Sequence, residues 1–196
     1  MNSKSTKAIL IIAIAVCLLS FDLPKGWFKA GSAPDKYEMG IDKRAGQDGN
    51  NAATIKSIAK EIKGFGTLMQ TITPANYIGK RIRMSGMLKS KDVTNYAGLW
   101  LRIDGADSKQ PIAFDNMSDR PVKGTTDWKK YEIVLDVPAE ASKIAFGALL
   151  NGTGQIWFDS IKFEIVDKTI PTTGKPIDQI KQRPQPETPV NLDFEE

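Results

Sequence analysis

Short segments rich in β-branched and aromatic residues follow one another from Trp27 to about Val166, separated by Gly, Pro, Asn and Asp. Helical periodicity is rare and is confined to residues 55–63, where it predicts a single short turn. The remaining pattern predicts strands at residues 37–42, 53–57, 66–72, 80–89, 98–104, 111–114, 128–137, 143–150 and 155–166. So many short strands indicate an all-β fold, a jelly-roll β-sandwich of about eight to ten antiparallel strands.

The turn Asn151-Gly152-Thr153-Gly154 stands between the last two predicted strands, both strongly apolar. Gly and Asn readily adopt the positive φ values of a tight hairpin, so the turn predicts that these two strands are paired. Side chains alternate between the two faces of a strand. The alternation after the turn predicts one core-facing set, consisting of Trp157, Asp159, Ile161, Phe163 and Ile165.

The N-terminus carries the pattern of a secretory signal, because Lys4 and Lys7 precede an apolar run over residues 8–20. A membrane-spanning helix needs roughly 20 apolar residues, and the run is shorter. Residues 1–17 are therefore predicted to be a signal peptide, with a short uncleaved membrane anchor as the alternative. Cleavage after Cys17 competes with cleavage after Ser20, and the bulk of Val16 disfavours lipidation of Cys17. We expect a secreted, periplasmic or cell-surface protein.

The composition changes beyond the last predicted strand, where Pro, Thr, Lys and Gln dominate. This change predicts a binding domain over residues 18–168 and a disordered, Pro-rich linker over residues 169–190. Residues 191–196 contain Leu192-Asp193-Phe194-Glu195, which echoes Leu19-Ser20-Phe21-Asp22. The echo has three explanations: the start of a truncated second module, a returning edge strand of the first sandwich, or chance.

Composition removes several classes of function. The 196 residues include no histidine, which excludes Ser/His/Asp and Cys/His catalysis and every metal site that needs imidazole. The single cysteine, Cys17, lies within the apolar N-terminal run, so the domain has no disulfide. Lys and Arg are scattered and the net charge is only +4, so we expect no nucleic-acid partner. A membrane contact is expected only through an uncleaved N-terminus.

A candidate ligand surface follows from the alternation of residues 98–104. If Leu99, Leu101 and Ile103 point into the core, Trp100 and Arg102 emerge together on the opposite face. Aromatic faces and planar polar groups are the side chains that suit sugars. The predicted ligand-binding residues are Trp100, Arg102, Asp115, Asn116, Gln70 and Tyr96, with Ala145 and Gly147 as a shallow floor. In the alternative, the loop bearing Phe114 caps Trp100, and Arg102 forms a salt bridge to Asp115 in a second minor core.

Three motifs together resemble the jelly-roll carbohydrate-binding modules of the galactose-binding-like fold. They are Pro24-Lys25-Gly26-Trp27-Phe28, the stretch 124–131 and the stretch 154–161. The resemblance covers roughly residues 19–166 and implies a carbohydrate or envelope glycan as partner. The sequence departs from that family at its opening, where only Phe21-Asp22 remains of the usual Asn-Gly-acidic-Phe-Glu stretch. A fuller version of that stretch lies at residues 191–195.

The same resemblance implies a structural calcium ion between Asp22 and Asp159, and no other cofactor. A carboxylate on the core-facing side of a strand costs on the order of several kcal/mol unless it is paired or binds a cation. Calcium would satisfy Asp159, and so would backbone amides or a nearby Lys; these explanations remain open.

The leading hypothesis is an exported, non-catalytic carbohydrate-binding module. The second is a protein-interaction or structural accessory domain of a larger envelope protein. The third is a carboxylate-dependent glycosidase or lyase, with Asp104, Asp115, Asp119 and Glu132 as the candidate acids and bases.

Overall fold

A computed structural model describes residues 21–106 and 110–174 of the chain. The predicted signal peptide and residues 191–196 lie outside this part. The described residues form nine strands: β1 (Phe28–Gly31), β2 (Tyr37–Asp42), β3 (Ala52–Ser57), β4 (Phe65–Ile72), β5 (Arg81–Gly105), β6 (Pro111–Asp115), β7 (Val122–Asp136), β8 (Ala141–Asn151) and β9 (Gln155–Val166). Two short 3-10 turns, Pro34–Lys36 and Gln47–Gly49, are also present. No helix within residues 21–106 and 110–174 has the length and apolar character needed to cross a membrane.

The strands form a sandwich of two antiparallel layers joined by one long strand. Layer A has the order β2-β3-β9-β5-β7, and layer B has the order β1-β4-β8-β5-β6. Strand β5 belongs to both layers, because residues 81–91 pair with β9 and residues 96–105 pair with β8. The predicted all-β jelly-roll sandwich is thereby confirmed.

The bend of β5 explains why the sequence pattern divides this strand in two. The register with β7 shifts repeatedly between Leu88 and Ala97, and Asp92 has a φ of 53°. The residues between them are mostly polar and form the corner at which the strand passes from layer A to layer B. Local bulges of this kind bend a strand without ending it.

The turn over residues 151–154 does not close a hairpin, and the predicted pairing of its two flanking strands is wrong. Strand β8 pairs with β4 and β5 in layer B, whereas β9 pairs with β5 and β3 in layer A. The turn therefore passes between layers, and it packs against the corner of β5. The backbone N–H of Thr94 donates to the carbonyl of Thr153 at 3.0 Å. A Cβ on Gly154, whose φ is 125°, would lie only 2.7 Å from the carbonyl oxygen of Asp92.

A bulge in β9 changes which of its side chains face the core. Ile156 and Phe158 are fully buried before the bulge, and Ile161 and Phe163 pack against the core after it. The register with β5 gains one residue opposite Gly86, and Ser160 has a φ of 55°. The predicted core-facing set is therefore wrong for Trp157 and Asp159 and correct for Ile161 and Phe163. Trp157 and Asp159 lie on the outer face of layer A, and the last member, Ile165, is 56% exposed.

The main core lies between the layers and is built from alternate residues of the central strands. Leu99, Leu101 and Ile103 of β5 are fully buried there, opposite Phe158 and its neighbours in layer A. Each such side chain stabilises the fold by about 1.5–3 kcal/mol. Trp27 closes one edge of the core, with its ring centroid 5.6 Å from that of Phe146.

The segment after β9 packs back onto the sandwich through Lys168, Ile170 and Thr173. Arg81 Nη1 donates to the carbonyls of Lys168 and Ile170 at 2.7 and 2.5 Å. Thr173 brackets Val134 of β7: its N–H donates to the Val134 carbonyl, and its hydroxyl oxygen accepts the Val134 N–H, each at 2.9 Å. Hydrogen bonds to the sandwich thus extend to Thr173, beyond the predicted boundary at 168. The rest of the predicted linker lies outside the described residues.

Candidate functional site: a groove on the outer face of layer B

A groove of about 460 Å³ runs over the outer face of layer B, on the side away from the main core. Its floor consists of Met69, Trp100 and Leu149, which are each at least nine-tenths buried and form a second apolar cluster with Ala145. Three partly buried aromatic residues rise around this floor: Phe65, Tyr96 and Phe114. The polar side chains that reach the groove include those of Thr67, Arg102 and Asn116.

Trp100 is a fixed part of the floor. Its Nε1 donates to Thr67 Oγ1 at 2.8 Å, and the Thr67 hydroxyl in turn donates to the carbonyl of Ala148 at 2.7 Å. Trp100 is only 6% exposed. A buried indole N–H with a partner is satisfied, so this side chain needs no ligand. Gly147 is paired with both Met69 and Trp100, and a Cβ at this position would lie only 2.3 Å from the carbonyl oxygen of Leu68, so the glycine permits the close approach of β4 to β8.

The exposed aromatic surface of the groove belongs to its walls. Phe65, Tyr96 and Phe114 keep part of their rings accessible, because they project from three different strands around the floor. Burial raises the pKa of the Tyr96 phenol, so it remains neutral and can both donate and accept a hydrogen bond. Tyr96 and Arg102 are six residues apart on β5, which corresponds to about 20 Å along the groove.

Arg102 is paired with Asp104, two residues further along the same face of β5. Its Nη2 donates to Asp104 Oδ2 at 3.1 Å, and its Nε lies 3.0 Å from Oδ1 without the alignment of a hydrogen bond. Lys143 of β8 forms a salt bridge to the same carboxylate, with its Nζ 3.2 Å from Asp104 Oδ2. The alternative salt bridge between Arg102 and Asp115 is therefore wrong, although the small apolar cluster around Trp100 does form, with Phe114 packed against it.

Asp115 lies outside the groove, because alternation along β6 turns it away from the face that Phe114 occupies. Its side chain is 4% exposed and accepts both branches of the Arg120 guanidinium, at 3.2 and 2.7 Å. It also accepts the N–H of Met117 and the hydroxyl of Thr173. Burial lowers the pKa of Arg120, but the hydrogen bonds and charges of Asp115 and Asp119 outweigh burial and raise it above its ordinary value. Asp115 therefore stabilises the fold.

Gln70 also lies outside the groove. Thr67 and Met69 face the groove, so Gln70 points to the opposite side of β4, where its Nε2 donates to the carbonyl of Gly26 at 3.3 Å. Of the six predicted ligand residues, the structure thus brings together Tyr96, Trp100, Arg102 and Asn116.

The sequence analysis does not predict several of the groove residues, among them Phe65, Met69 and Leu149. A signal for them was present, because β4 and β8 carry apolar residues on both alternating phases. A strand with one face in the main core and apolar residues on the other has a second apolar face to cover. Here that second face is the groove floor.

Ile41 of β2 connects the surroundings of the two predicted calcium ligands, Asp22 and Asp159. The backbone carbonyl of Asp22 accepts the N–H of Ile41 at 2.8 Å, and Ile41 and Asp159 line the same small depression. The Asp159 side chain is partly exposed and accepts the N–H of Ser160 at 2.6 Å. No group of three acidic or thiol side chains suited to a metal occurs in the described residues. Calcium binding stays a prediction, without the buried carboxylate that motivated it.

Comparison with known proteins relates this chain to one curated protein by sequence, and no family model matches it. The protein named "Uncharacterized HTH-type transcriptional regulator YbfP" of Bacillus subtilis is 43% identical over 178 residues. The match takes in 88% of this chain but only 57% of that protein. The chain therefore spans a little over half of its curated relative.

Solved structures with the same fold include carbohydrate-binding modules. The CBM22-1 xylan-binding domain of Paenibacillus barcinonensis Xyn10C has a TM-score of 0.54 at 10% identity, over 76% of this chain and 90% of that domain. A family 16 carbohydrate-binding module has a TM-score of 0.51 at 12% identity, over 65% and 86% of the two chains. The Stig cyclase Fisc of Fischerella sp. TAU has a TM-score of 0.52 at 13% identity, over 75% and 89%. At these identities the likeness shows the fold, which binding modules and enzymes share.

Proposed function

We propose that this protein binds carbohydrate in the groove of layer B. The observation that carries the proposal is the groove itself: an elongated depression with a rigid apolar floor, three partly exposed aromatic side chains and a few polar groups. Aromatic rings cover the apolar C–H faces of sugars, while side chains such as Arg102 and Asn116 bond hydroxyl groups. Its occurrence on a fold shared with carbohydrate-binding modules supports the proposal.

Binding without catalysis suits the chemistry of the groove better than hydrolysis does. Glycosidases use a pair of carboxyl groups across the scissile bond, and none of the described residues that line the groove carries a carboxylate. Asp104, one of the candidate acids, is engaged by Arg102 and Lys143. Asp115 is buried in its pair with Arg120. Export to the cell envelope, predicted from the N-terminus, is part of the same proposal.

The name of the Bacillus relative favours a second candidate, a ligand-sensing domain of a transcriptional regulator. A helix-turn-helix unit needs two packed helices, whereas the described residues contain strands and two 3-10 turns. Under this candidate the chain corresponds to the part that holds the effector. A glycan retained by this chain would then change DNA binding by the Bacillus protein, and unchanged DNA binding at saturating glycan would contradict it.

Affinity gel electrophoresis of the full chain through soluble polysaccharides tests the carbohydrate proposal. We expect at least one polysaccharide to retard the wild type, and Tyr96→Ala and Phe114→Ala each to weaken the interaction on the order of tenfold. Both side chains are partly exposed, so their loss leaves the main core intact. Trp157→Ala is the matched control, because this aromatic residue lies on the outer face of layer A.

Each outcome of that experiment bears on the proposal. Failure of every polysaccharide in a panel of neutral and acidic glycans to retard the wild type would refute carbohydrate binding. Retardation that survives both groove substitutions but is lost in Trp157→Ala would place the site on layer A and overturn the assignment of the groove.

A further inference from the structure

We infer that the groove selects acidic glycans, in which a sugar ring carries a carboxylate, over their neutral counterparts. The inference rests on the proposed function and concerns the class of sugar that the groove takes. It follows from the charge of the groove lining and from the surroundings of Arg102.

The charge of the groove has a single sign. Arg102 is the one charged side chain among the described residues that line the groove, and the remaining lining consists of apolar, aromatic, hydroxyl and amide groups. A carboxylate on a ligand therefore meets a cation and no lining carboxylate that would repel it. A ligand cation would meet repulsion from Arg102 with no acidic lining group to compensate it.

Among the residues that the structure describes, the ion-pair partners of Arg102 do not cancel its positive charge. Asp104 is the partner of both Arg102 and Lys143, so two cations share one carboxylate and the three side chains together carry one net positive charge. Asp104 is only 16% exposed, whereas the side chain of Arg102 is 38% exposed and that of Lys143 is 47% exposed. The carboxylate is thus enclosed while both cations remain accessible to a second anion.

The position of Arg102 also suits a carboxylate that is attached directly to a sugar ring. Arg102 pairs in register with Phe114 of β6, and both side chains reach the groove. A pyranose ring that packs on Phe114 can direct a ring-bound carboxylate towards the guanidinium. Charge-assisted hydrogen bonds from the planar guanidinium to a carboxylate are stronger than those to hydroxyl groups. The apolar floor beside them reduces screening by water.

Paired ligands test the inference directly. Soluble acidic polysaccharides rich in uronic acid are compared with their carboxyl-reduced forms, which keep the same backbone but carry a hydroxyl group in place of each carboxylate. Affinity electrophoresis of the full chain should show at least one acidic form bound about tenfold more tightly than its reduced form, since hydrogen bonds to charged groups contribute more.

Substitutions at Arg102 assign that preference to the groove. Arg102→Gln should abolish the acidic preference. Arg102→Lys should retain part of it, because the positive charge remains while the planar guanidinium, which can donate two parallel hydrogen bonds to a carboxylate, is lost. Lys143 still pairs with Asp104 in both variants, so no carboxylate is left without a cation. Lys162→Gln removes the same unit of charge from an exposed position of β9 in layer A and should leave the preference unchanged.

The results separate this inference from the proposed function. Equal binding of acidic and reduced forms would overturn the acidic preference and leave carbohydrate binding in place. Failure of every polysaccharide of either kind to bind would overturn both. A preference for acidic forms that Lys162→Gln weakens as much as Arg102→Gln does would show that overall charge causes it, and would also overturn the inference.

Discussion

Replacement of Asp115 by alanine is expected to lower the free energy of unfolding by about 2–4 kcal/mol, because it leaves a cation in the protein surface without its main partner. The Asp115 carboxylate is 4% exposed and holds Arg120 by two hydrogen bonds. The Met117 N–H and the Thr173 hydroxyl lose the same acceptor. Arg120 is one-third exposed, so water will partly solvate it in the variant, and this keeps the loss below that of a fully buried pair.

Urea denaturation followed by tryptophan fluorescence measures this loss, and Asp119→Ala is its matched control. Asp119 contacts the same guanidinium at 2.9 Å, but its side chain is 56% exposed. Exposed ion pairs contribute about 0–1 kcal/mol, so the control should cost much less than Asp115→Ala. Equal losses in the two variants would contradict the assignment of Asp115 as the buried anchor of this region.

The position of Asp115 shows the limit of prediction from the composition of a segment. Residues 114–120 are dense in polar groups, and the sequence placed both Asp115 and Asn116 in the ligand site. Alternation along β6 sends Phe114 to the groove and Asp115 to the other side, where Arg120 and Thr173 surround it. Thr173 lies 58 residues away in the chain, so no local pattern reveals this contact.

The strands themselves were largely predictable because their alternation is local. The sequence predicts β2 and β9 with their observed bounds and the separate faces of Leu99 and Trp100 on β5. It omits β1, which has four residues, three of them exposed, and therefore no alternation to detect. It also predicts two strands where β5 is one, since polar residues at a corner resemble those of a loop.

Pairing was less predictable than the strands, because it depends on partners that are distant in sequence. The Gly-containing turn over residues 151–154 has the residues of a hairpin, but its glycines permit close approach to the corner of β5. The flanking strands then join different layers. The same dependence on a distant partner applies to the bulge in β9, which lies opposite Gly86. A Cβ on Gly86 would lie 2.4 Å from Cδ1 of Ile161, so a larger residue at this position would require that side chain to shift.

Strand β9 offers the second large effect, which tests the bulge itself. Phe158→Ala should lower the free energy of unfolding by about 3–5 kcal/mol, because it removes a large side chain from a closed core. Phe158 is 1% exposed, and its ring centroid lies 5.7 Å from that of Trp27. Ile165→Ala, at a 56% exposed position, should change it by only about 0.5 kcal/mol. Unbroken alternation back from Ile161 and Phe163 would instead place Phe158 on the outer face of layer A, where its loss would cost little. Denaturant unfolding of both variants measures the difference, and a loss for Phe158→Ala as small as that for Ile165→Ala would contradict the burial of Phe158 and with it the bulge at Ser160.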